Sequence, residues 1–572
     1  MIDQTDHRPP SEDVAVGDAV VATEPTRDPR VARARAVLTP RRASGAALAV
    51  VIAVAAYVAV SLHRRGHTTG DDFALYLRQA QSLFEGNIGQ VISDNRLLWA
   101  NSTGVTPQMY PWGFPVILSP FVRAFGLDFG PLKLVEVACL CLWLVLFHGI
   151  VRRRTDRVVA LVVTAVFATA PIYLVHTDQL LTEFPHMLAV AVVMWWLDRV
   201  LLRHRLTHAP TTDLVVLGLL MMVAYNFRRE SIVFLAVVAA TQLVDALGER
   251  RHAVDRGEPS PWRRGRNPLG ALPWKTLSIP YLSFAAGCAI AQFLLPSTLV
   301  PDNGNSRRFI LTRLFSLNDP GNCPNPRNLS PAPRNCANYP KQLLLQLGLD
   351  EKPVFGLIII CLALAGAVIA CAKSPRLNVP LAVLMGTTML VIGTHFRMVS
   401  RYYFQVTPLI LLFLTILLVT AAREVAYLIN SKSATLRRYL VALAIAPLLW
   451  LVAIHVWSIP SRVDAASRFN DGGGVQSGPT NPKIEGSFEM VLEHTRPDDI
   501  IVVRRARTLT LYTDRRALQL TSVDRMTELA DWYLQYKPEN YSQPVASPEE
   551  LEAIGYELVD EDPYWRLWRI PH

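Results

Sequence analysis

Cysteine is scarce in this chain, with seven among 572 residues, and none falls at the spacing of a zinc site. Cys139, Cys141, Cys288, Cys361 and Cys371 lie in apolar runs, where cysteine acts as a small hydrophobe. Cys323 and Cys336 share a polar, proline-rich loop, where an extracytoplasmic setting would permit a disulfide. Internal repeats are also lacking, which counts against a transporter built from symmetric halves. Neither paired histidines nor a carboxylate cluster of metal-ligand type stands out. A divalent metal is therefore allowed by the sequence but not indicated, and no cofactor is certain.

Apolar residues, by contrast, are plentiful at 51%. They come in blocks of about 20, the length that crosses a bilayer. Eleven such spans are expected, at roughly 45–62, 132–151, 158–175, 179–200, 212–226, 230–247, 276–296, 353–372, 379–395, 403–421 and 439–458. The net charge of +10 is mostly arginine, and it falls in short clusters between spans. Such clusters orient a membrane protein and do not form a nucleic-acid patch. They include the N-terminal arginines, Arg152 to Arg154, Arg203 with Arg205, Arg250 to Arg266, Lys373 with Arg376, and Lys432 to Arg438. Their parity puts the N-terminus in the cytoplasm of a multi-pass plasma-membrane protein and the C-terminus outside.

The expected architecture is a polytopic α-helical membrane protein with a small extracytoplasmic α/β domain. Residues 1–43 read as a disordered cytoplasmic tail. Residues 44–458 form the transmembrane part, with outer loops at 63–131 and 297–352. Residues 459–572 form the soluble domain, which opens with the linker-like Asp471-Gly472-Gly473-Gly474. There, strands are expected at Ile500 to Val503, Ala517 to Leu520 and Trp565 to Ile570. Helices are expected at Phe488 to His494, Asp524 to Tyr533 and Pro548 to Ala553.

Asp71 and Asp72 stand just beyond the first span, where burial alone cannot account for them. The next residues have helical spacing, with Phe73, Tyr76, Leu77, Ala80, Leu83 and Phe84 on one side and Arg78, Gln79, Ser82 and Glu85 on the other. This amphipathic helix is expected to lie in the membrane interface. Asp72 falls in line with Tyr76 and Gln79, whereas Asp71 points away and suits a helix cap. Farther on, Tyr110-Pro111-Trp112-Gly113-Phe114-Pro115 should bend the chain and block a regular helix start, with Tyr110 and Trp112 at headgroup level.

Together these motifs resemble the GT-C membrane glycosyltransferases, above all the lipid A aminoarabinose transferases and protein O-mannosyltransferases. The resemblance rests on Asp72, Tyr76 and Ala80 followed by Tyr-Pro-x-Gly-x-Pro. It extends to Asp178-Gln179-Leu180-Leu181-Thr182-Glu183-Phe184-Pro185, to Arg401-Tyr402-Tyr403 with Pro408, and to the run Asp499 to Leu520. It implies a polyprenyl-phosphate sugar donor used on the outer face, and a first-loop Asp as general base. By register that role falls to Asp72. In the close relatives the second acidic residue follows the first-loop Asp, while here it precedes it, which keeps Asp71 a candidate.

Departure of a sugar from phosphate leaves negative charge on the lipid, and cations near the outer span ends would receive it. Arg228, Arg229, Arg397 and Arg401 are the candidates, with Tyr402 beside them; Arg307 and Arg308 in the large loop suit lipid headgroups equally well. Asp178, Glu183 and His186 would orient the acceptor or support the base, and Tyr110 would bind substrate. The expected partners are the lipid-linked donor, a glycan, lipid or protein acceptor, and membrane lipids, with no nucleic acid. A lipid-linked sugar flippase or polysaccharide transporter, or a non-catalytic envelope assembly protein, is the competing reading. Charges gathered at the outer span ends and not deep in the bilayer favour an enzyme, and sugar transfer is expected to invert the anomeric centre.

Overall fold

The computed structural model describes residues 40–102, 108–255, 274–297, 331–349, 352–393, 400–430, 433–538 and 543–571. Leu48–His572 forms one compact unit; of the other, Met1–Ala47, only the start of the helix Pro40–Ser61 is described. Among the described residues, nine helices are long and apolar enough to cross a membrane, from Arg42–Ser61 to Ala434–Asp471. The protein is thus a multi-pass α-helical membrane protein with a small C-terminal sheet.

Two of the eleven expected spans are shorter helices in the structure. Arg157–Thr169 has 13 residues and Thr211–Phe227 has 17. The first stops because Ala170 is extended ahead of Pro171, as the residue before a proline tends to be. The second stops at Arg228, which is also extended. A further short apolar helix, Gly113–Phe125, starts within the Tyr-Pro-x-Gly-x-Pro motif. The expectation of a blocked helix start is therefore wrong. Pro115 sits in the first turn, where its missing N–H has no intrahelical partner to lose.

Glycine allows close helix approach at two positions. A β-carbon on Gly366 would stand 2.1 Å from the carbonyl oxygen of Phe413, and one on Gly218 would stand 2.3 Å from that of Pro280. Helix Pro353–Lys373 is thereby locked to Thr407–Asn430, and Thr211–Phe227 to Trp274–Leu294.

The basic clusters converge at one end of the bundle. Arg153 and Arg154 hold the buried Asp198, and Arg154 also donates to the carbonyl of Leu377. Arg376 pairs with Asp245 at 2.7 Å and bonds the carbonyl of His204. Lys373 meets Glu424, and Arg423 meets Asp156. The sequence segments that carry the acidic motifs meet at the opposite end.

The C-terminal sheet has the order β2-β1-β3-β5-β4. Its strands are β1 (Ile500–Val503), β2 (Arg516–Leu518), β3 (Trp532–Tyr536), β4 (Glu557–Glu561) and β5 (Trp565–Arg569). β1 pairs in parallel with β2 and β3, and β5 runs antiparallel to β3 and β4. Trp532 and Tyr533, expected at the end of a helix, belong instead to β3. That strand is buried along Trp532–Gln535, so its sequence has no two-fold alternation. The 38-residue helix Ala434–Asp471 carries the chain into this region and does not stop at 458. The glycine-rich stretch after it is tied down: Gln476 N donates to the carbonyl of Arg65, and Thr69 bonds Ser477.

Candidate active site

The helix Asp72–Glu85 carries the first carboxylate. It ends at Gly86, whose positive φ of 78° lets its N–H close on the carbonyl of Ser82. Its apolar side packs on the bundle, as the spacing predicts. Its polar side is covered too: Arg78, Gln79 and Ser82 are buried. Arg78 reaches Asp94 at 2.7 Å on the helix Ile88–Asn101, and Asp514 at 3.0 Å in the C-terminal region. The helix is therefore an internal strut enclosed by protein, which corrects its expected place in the lipid interface.

Asp72, Tyr76 and Gln79 all face Tyr110, as their register predicts. Tyr110 donates its hydroxyl to Asp72 Oδ1 at 2.7 Å, and its carbonyl accepts from Gln79 Nε2 at 3.1 Å. The Tyr76 and Tyr110 rings lie 4.5 Å apart. Burial first, and then the charge on Asp72, raise the Tyr110 phenol well above its usual range, so it remains a donor. Trp112, expected at headgroup level, is instead buried and donates to the carbonyl of Pro296 at 2.9 Å.

Asp72 Oδ2 accepts from Arg401 Nη2 at 3.1 Å, across 329 residues of sequence. Arg401 Nε lies 3.1 Å from Glu183 Oε1, and the same oxygen accepts from Arg228 Nη1 at 3.1 Å. Arg228 continues to Glu230 at 3.1 Å. Burial lowers the affinity of Arg401 for its proton, but Glu183 and Asp72 together raise it further, so the guanidinium stays charged. Both arginines border the Tyr402 ring, at 5.2 Å for Arg228 and 5.8 Å for Arg401. The two carboxylates differ in exposure: the Asp72 side chain is 38% exposed and that of Glu183 only 5%. Glu183 anchors the cations from behind, while Asp72 can meet a solute.

Local geometry explains how these segments converge. A β-carbon on Gly113 would stand 2.6 Å from the carbonyl oxygen of Asn226, so only glycine lets the Tyr110 segment lie against the turn that carries Arg228. The single turn Ser400–Gln405 presents Arg401 and Tyr402, and Gln405 bonds His186 Nδ1 at 3.1 Å. His186 Nε2 meets Ser231 at 2.7 Å. His186 thus braces two loops from behind the arginines, a role its place one turn from Glu183 did not reveal.

Other expected site residues stand elsewhere. Asp71 occupies the cap position but makes no cap hydrogen bond. It accepts from Thr508 Oγ1 at 3.1 Å and Thr508 N at 3.4 Å, which corrects the helix-cap reading. Asp178 lies in a separate buried knot, held by Lys133 Nζ at 2.6 Å, Gln476 Nε2 at 3.0 Å and the backbone N–H of Arg64 at 3.1 Å. Arg229 turns away from Arg228, donating to the carbonyl of Tyr225 and to Ser297. Arg397, Arg307, Arg308, Cys323 and the side chain of Cys336 lie outside the described residues. Arg507, which sequence reasoning passed over, places its guanidinium 5.4 Å from the centre of the Tyr110 ring. Among the described residues no group of three or more metal-ligating side chains gathers.

No protein-family model and no curated protein matches the sequence. The fold does match solved structures. The apo crystal structure of the aminoarabinose transferase ArnT from Cupriavidus metallidurans superposes with a TM-score of 0.50 and 14% identity, covering 92% of this chain and 98% of that one. The chain has the GT-C fold. ArnT bound to undecaprenyl phosphate gives 0.49 at 13% identity, covering 91% and 97%. The apo oligosaccharyltransferase of Archaeoglobus fulgidus gives 0.48 at 11%, covering 86% and 69%. On this GT-C scaffold the acidic and arginine motifs quoted from the sequence meet at one end of the bundle through Asp72, Glu183, Arg228 and Arg401.

Proposed function

We propose that the protein is a membrane glycosyltransferase that moves a sugar from a polyprenyl-phosphate donor to a cell-envelope acceptor on the outer membrane face. The observation that carries this reading is the ion-paired contact of Asp72 with Arg401, backed by Glu183 and Arg228, on a GT-C fold. The motif resemblance supplies the donor class.

In this reading Asp72 takes the proton from an acceptor hydroxyl as that oxygen bonds to the anomeric carbon. The bond from that carbon to the phosphate oxygen breaks on the opposite side, which inverts the centre. The electron pair leaves with the polyprenyl phosphate. Arg401 and Arg228, held by Glu183, face the developing negative charge without having to reorganise. Tyr110 orients the Asp72 carboxylate through Oδ1. Asp71, Tyr402, His186, Asp178 and Arg229 then act as supports, and Arg397 follows the same motif as Arg401 toward the phosphate.

Transfer from a panel of radiolabelled polyprenyl-phosphate sugars, measured in nanodiscs, tests the proposal. Wild type is expected to transfer from one donor, and Asp72→Asn to lose about 100-fold or more, the usual weight of a general base. Full activity in Asp72→Asn would remove Asp72 from the role, and no transfer from any donor by folded wild type would remove the function.

A further inference from the structure

Two buried charges of the bundle take no part in the proposed transfer. Lys133 and Glu136 stand one turn apart near the start of the helix Phe129–Arg152, a candidate membrane span, and each is only 1% exposed. Ionisable groups buried at membrane depth are costly and commonly serve a function. Lys133 Nζ donates to Asp178 Oδ1 at 2.6 Å and to the carbonyls of Arg64 and Gly66 at 2.8 and 2.6 Å, which uses all three of its protons. Glu136 Oε1 accepts the backbone N–H of Leu181 at 3.1 Å, its one hydrogen bond among the described residues.

The turn that these side chains hold leads directly into Glu183 and has little support of its own. Residues 180–182 are not helical, and Thr182, at the cap position of helix Glu183–Arg203, makes no side-chain cap bond. Leu180 and Leu181 are both buried. The N–H of Leu180 goes to His67 Nε2 at 3.0 Å, and that of Leu181 goes to Glu136. A buried amide deprived of its partner is expensive, so the turn either keeps these contacts or moves. Glu183 follows two residues after Leu181, and its Oε1 stands 3.1 Å from both Arg401 Nε and Arg228 Nη1.

We infer that Glu136 is a positioning residue for the donor site: its carboxylate fixes the turn, the turn fixes Glu183, and Glu183 fixes the two arginines. The contact needs an acceptor oxygen at this place and not a negative charge, because its partner is a neutral amide. Lys133 also ties in the first loop, whereas Glu136 reaches the turn alone, so replacing Glu136 reports on the turn and not on the whole knot. That the arginines receive a donor phosphate rests on the transferase reading; that Glu136 holds the turn does not.

Hydrogen–deuterium exchange and equilibrium binding of undecaprenyl phosphate, both on the full chain in nanodiscs of neutral lipid, test the inference. Glu136→Leu is expected to speed exchange in the peptide spanning 178–184 about ten-fold and to weaken binding about ten-fold, the weight of one buried hydrogen bond. Glu136→Gln, whose amide oxygen still accepts from Leu181, should stay within about three-fold of wild type in both. His148→Leu loses a buried hydrogen bond to Thr164, about 18 Å farther along the same helix, and should change neither. Removing a buried carboxylate also removes its desolvation cost, so Tm need not fall, and the two readouts separate positioning from loss of fold. Equal effects of the leucine and glutamine variants would assign the role to charge and overturn the inference. So would unchanged exchange, faster exchange with unchanged binding, or a His148→Leu variant that matches Glu136→Leu. A wild type that binds no undecaprenyl phosphate and transfers from no donor would sink the transferase reading, and exchange alone would then decide whether Glu136 holds the turn.

Discussion

At the scale of residues, two adjacent carboxylates have been given different surroundings. Asp71 is half-buried against Thr508, and its desolvation raises its pKa despite Arg505 and Arg507 nearby. Asp72 is held by Tyr110 and Arg401 and stays partly exposed. The two should therefore respond unequally to the same change. Asp71→Asn keeps an acceptor for Thr508 and sheds a half-buried charge, so transfer should stay within about three-fold of wild type, against about 100-fold or more for Asp72→Asn. Equal losses in a side-by-side rate measurement would mean that the pair acts as one. The register of Asp72 with Tyr76 was legible in the sequence because helical spacing fixes which residues share a face. The partner of Asp71 was not, because Thr508 lies 437 residues away in a segment with no apolar periodicity.

At the scale of elements, apolar run length made the spans legible, while helix ends depended on single residues such as Pro171. The helix Ala506–Thr513 was missed because Arg505, Arg507 and three threonines give it the composition of a loop, although it is buried almost throughout. Strand β3 was misread because a strand buried on both faces has no alternation to find. The close approach at Gly366 gives an element-scale prediction. Gly366→Val must separate Pro353–Lys373 from Thr407–Asn430, the helix that follows the Arg401 turn. Overpacking of this kind costs about 1–3 kcal/mol, seen as a Tm several degrees lower in detergent together with weaker transfer. Gly386→Val, where a β-carbon meets nothing within 4 Å, is the control and should leave Tm unchanged. Equal effects from both would show that helix propensity, not contact, is responsible.

At the scale of the whole molecule, the bundle and the C-terminal region are fastened through a polar knot beneath the first loop. His67 Nε2 accepts the N–H of Leu180 at 3.0 Å and Nδ1 donates to the carbonyl of Thr68 at 2.9 Å, so the ring is neutral. Gly478 packs against the His67 carbonyl, and Asn470 Nδ2 donates to that of His63. Burial, with Lys133 adding to it, lowers both imidazoles from 6.5 to about 4. With a depressed pKa in the folded state, stability is fully present above about pH 6.5 and is lost as pH falls toward 4. Each histidine contributes on the order of 3 kcal/mol to that loss. Thermal unfolding between pH 8 and pH 4 should show the decline, and His63→Gln with His67→Gln should flatten it over this window. An unchanged slope in the double variant would place the acid sensitivity elsewhere.

The contact between Asp71 and Thr508 also sets an order in time. Thr508 is made 437 residues after Asp71, which at about 5–20 residues per second is a delay of about 20–90 s. Arg78 waits as long for Asp514. Throughout that interval the first loop has been synthesised but not roofed, with Asp71 lacking its hydroxyl partner and Arg78 one of its two carboxylates. The nascent protein closes the region around Asp71 and Arg78 only after Thr508 and Asp514 have been made. A chain cut short before residue 500 therefore carries every candidate membrane span among the described residues yet lacks the partners of Asp71 and Arg78 from the C-terminal region.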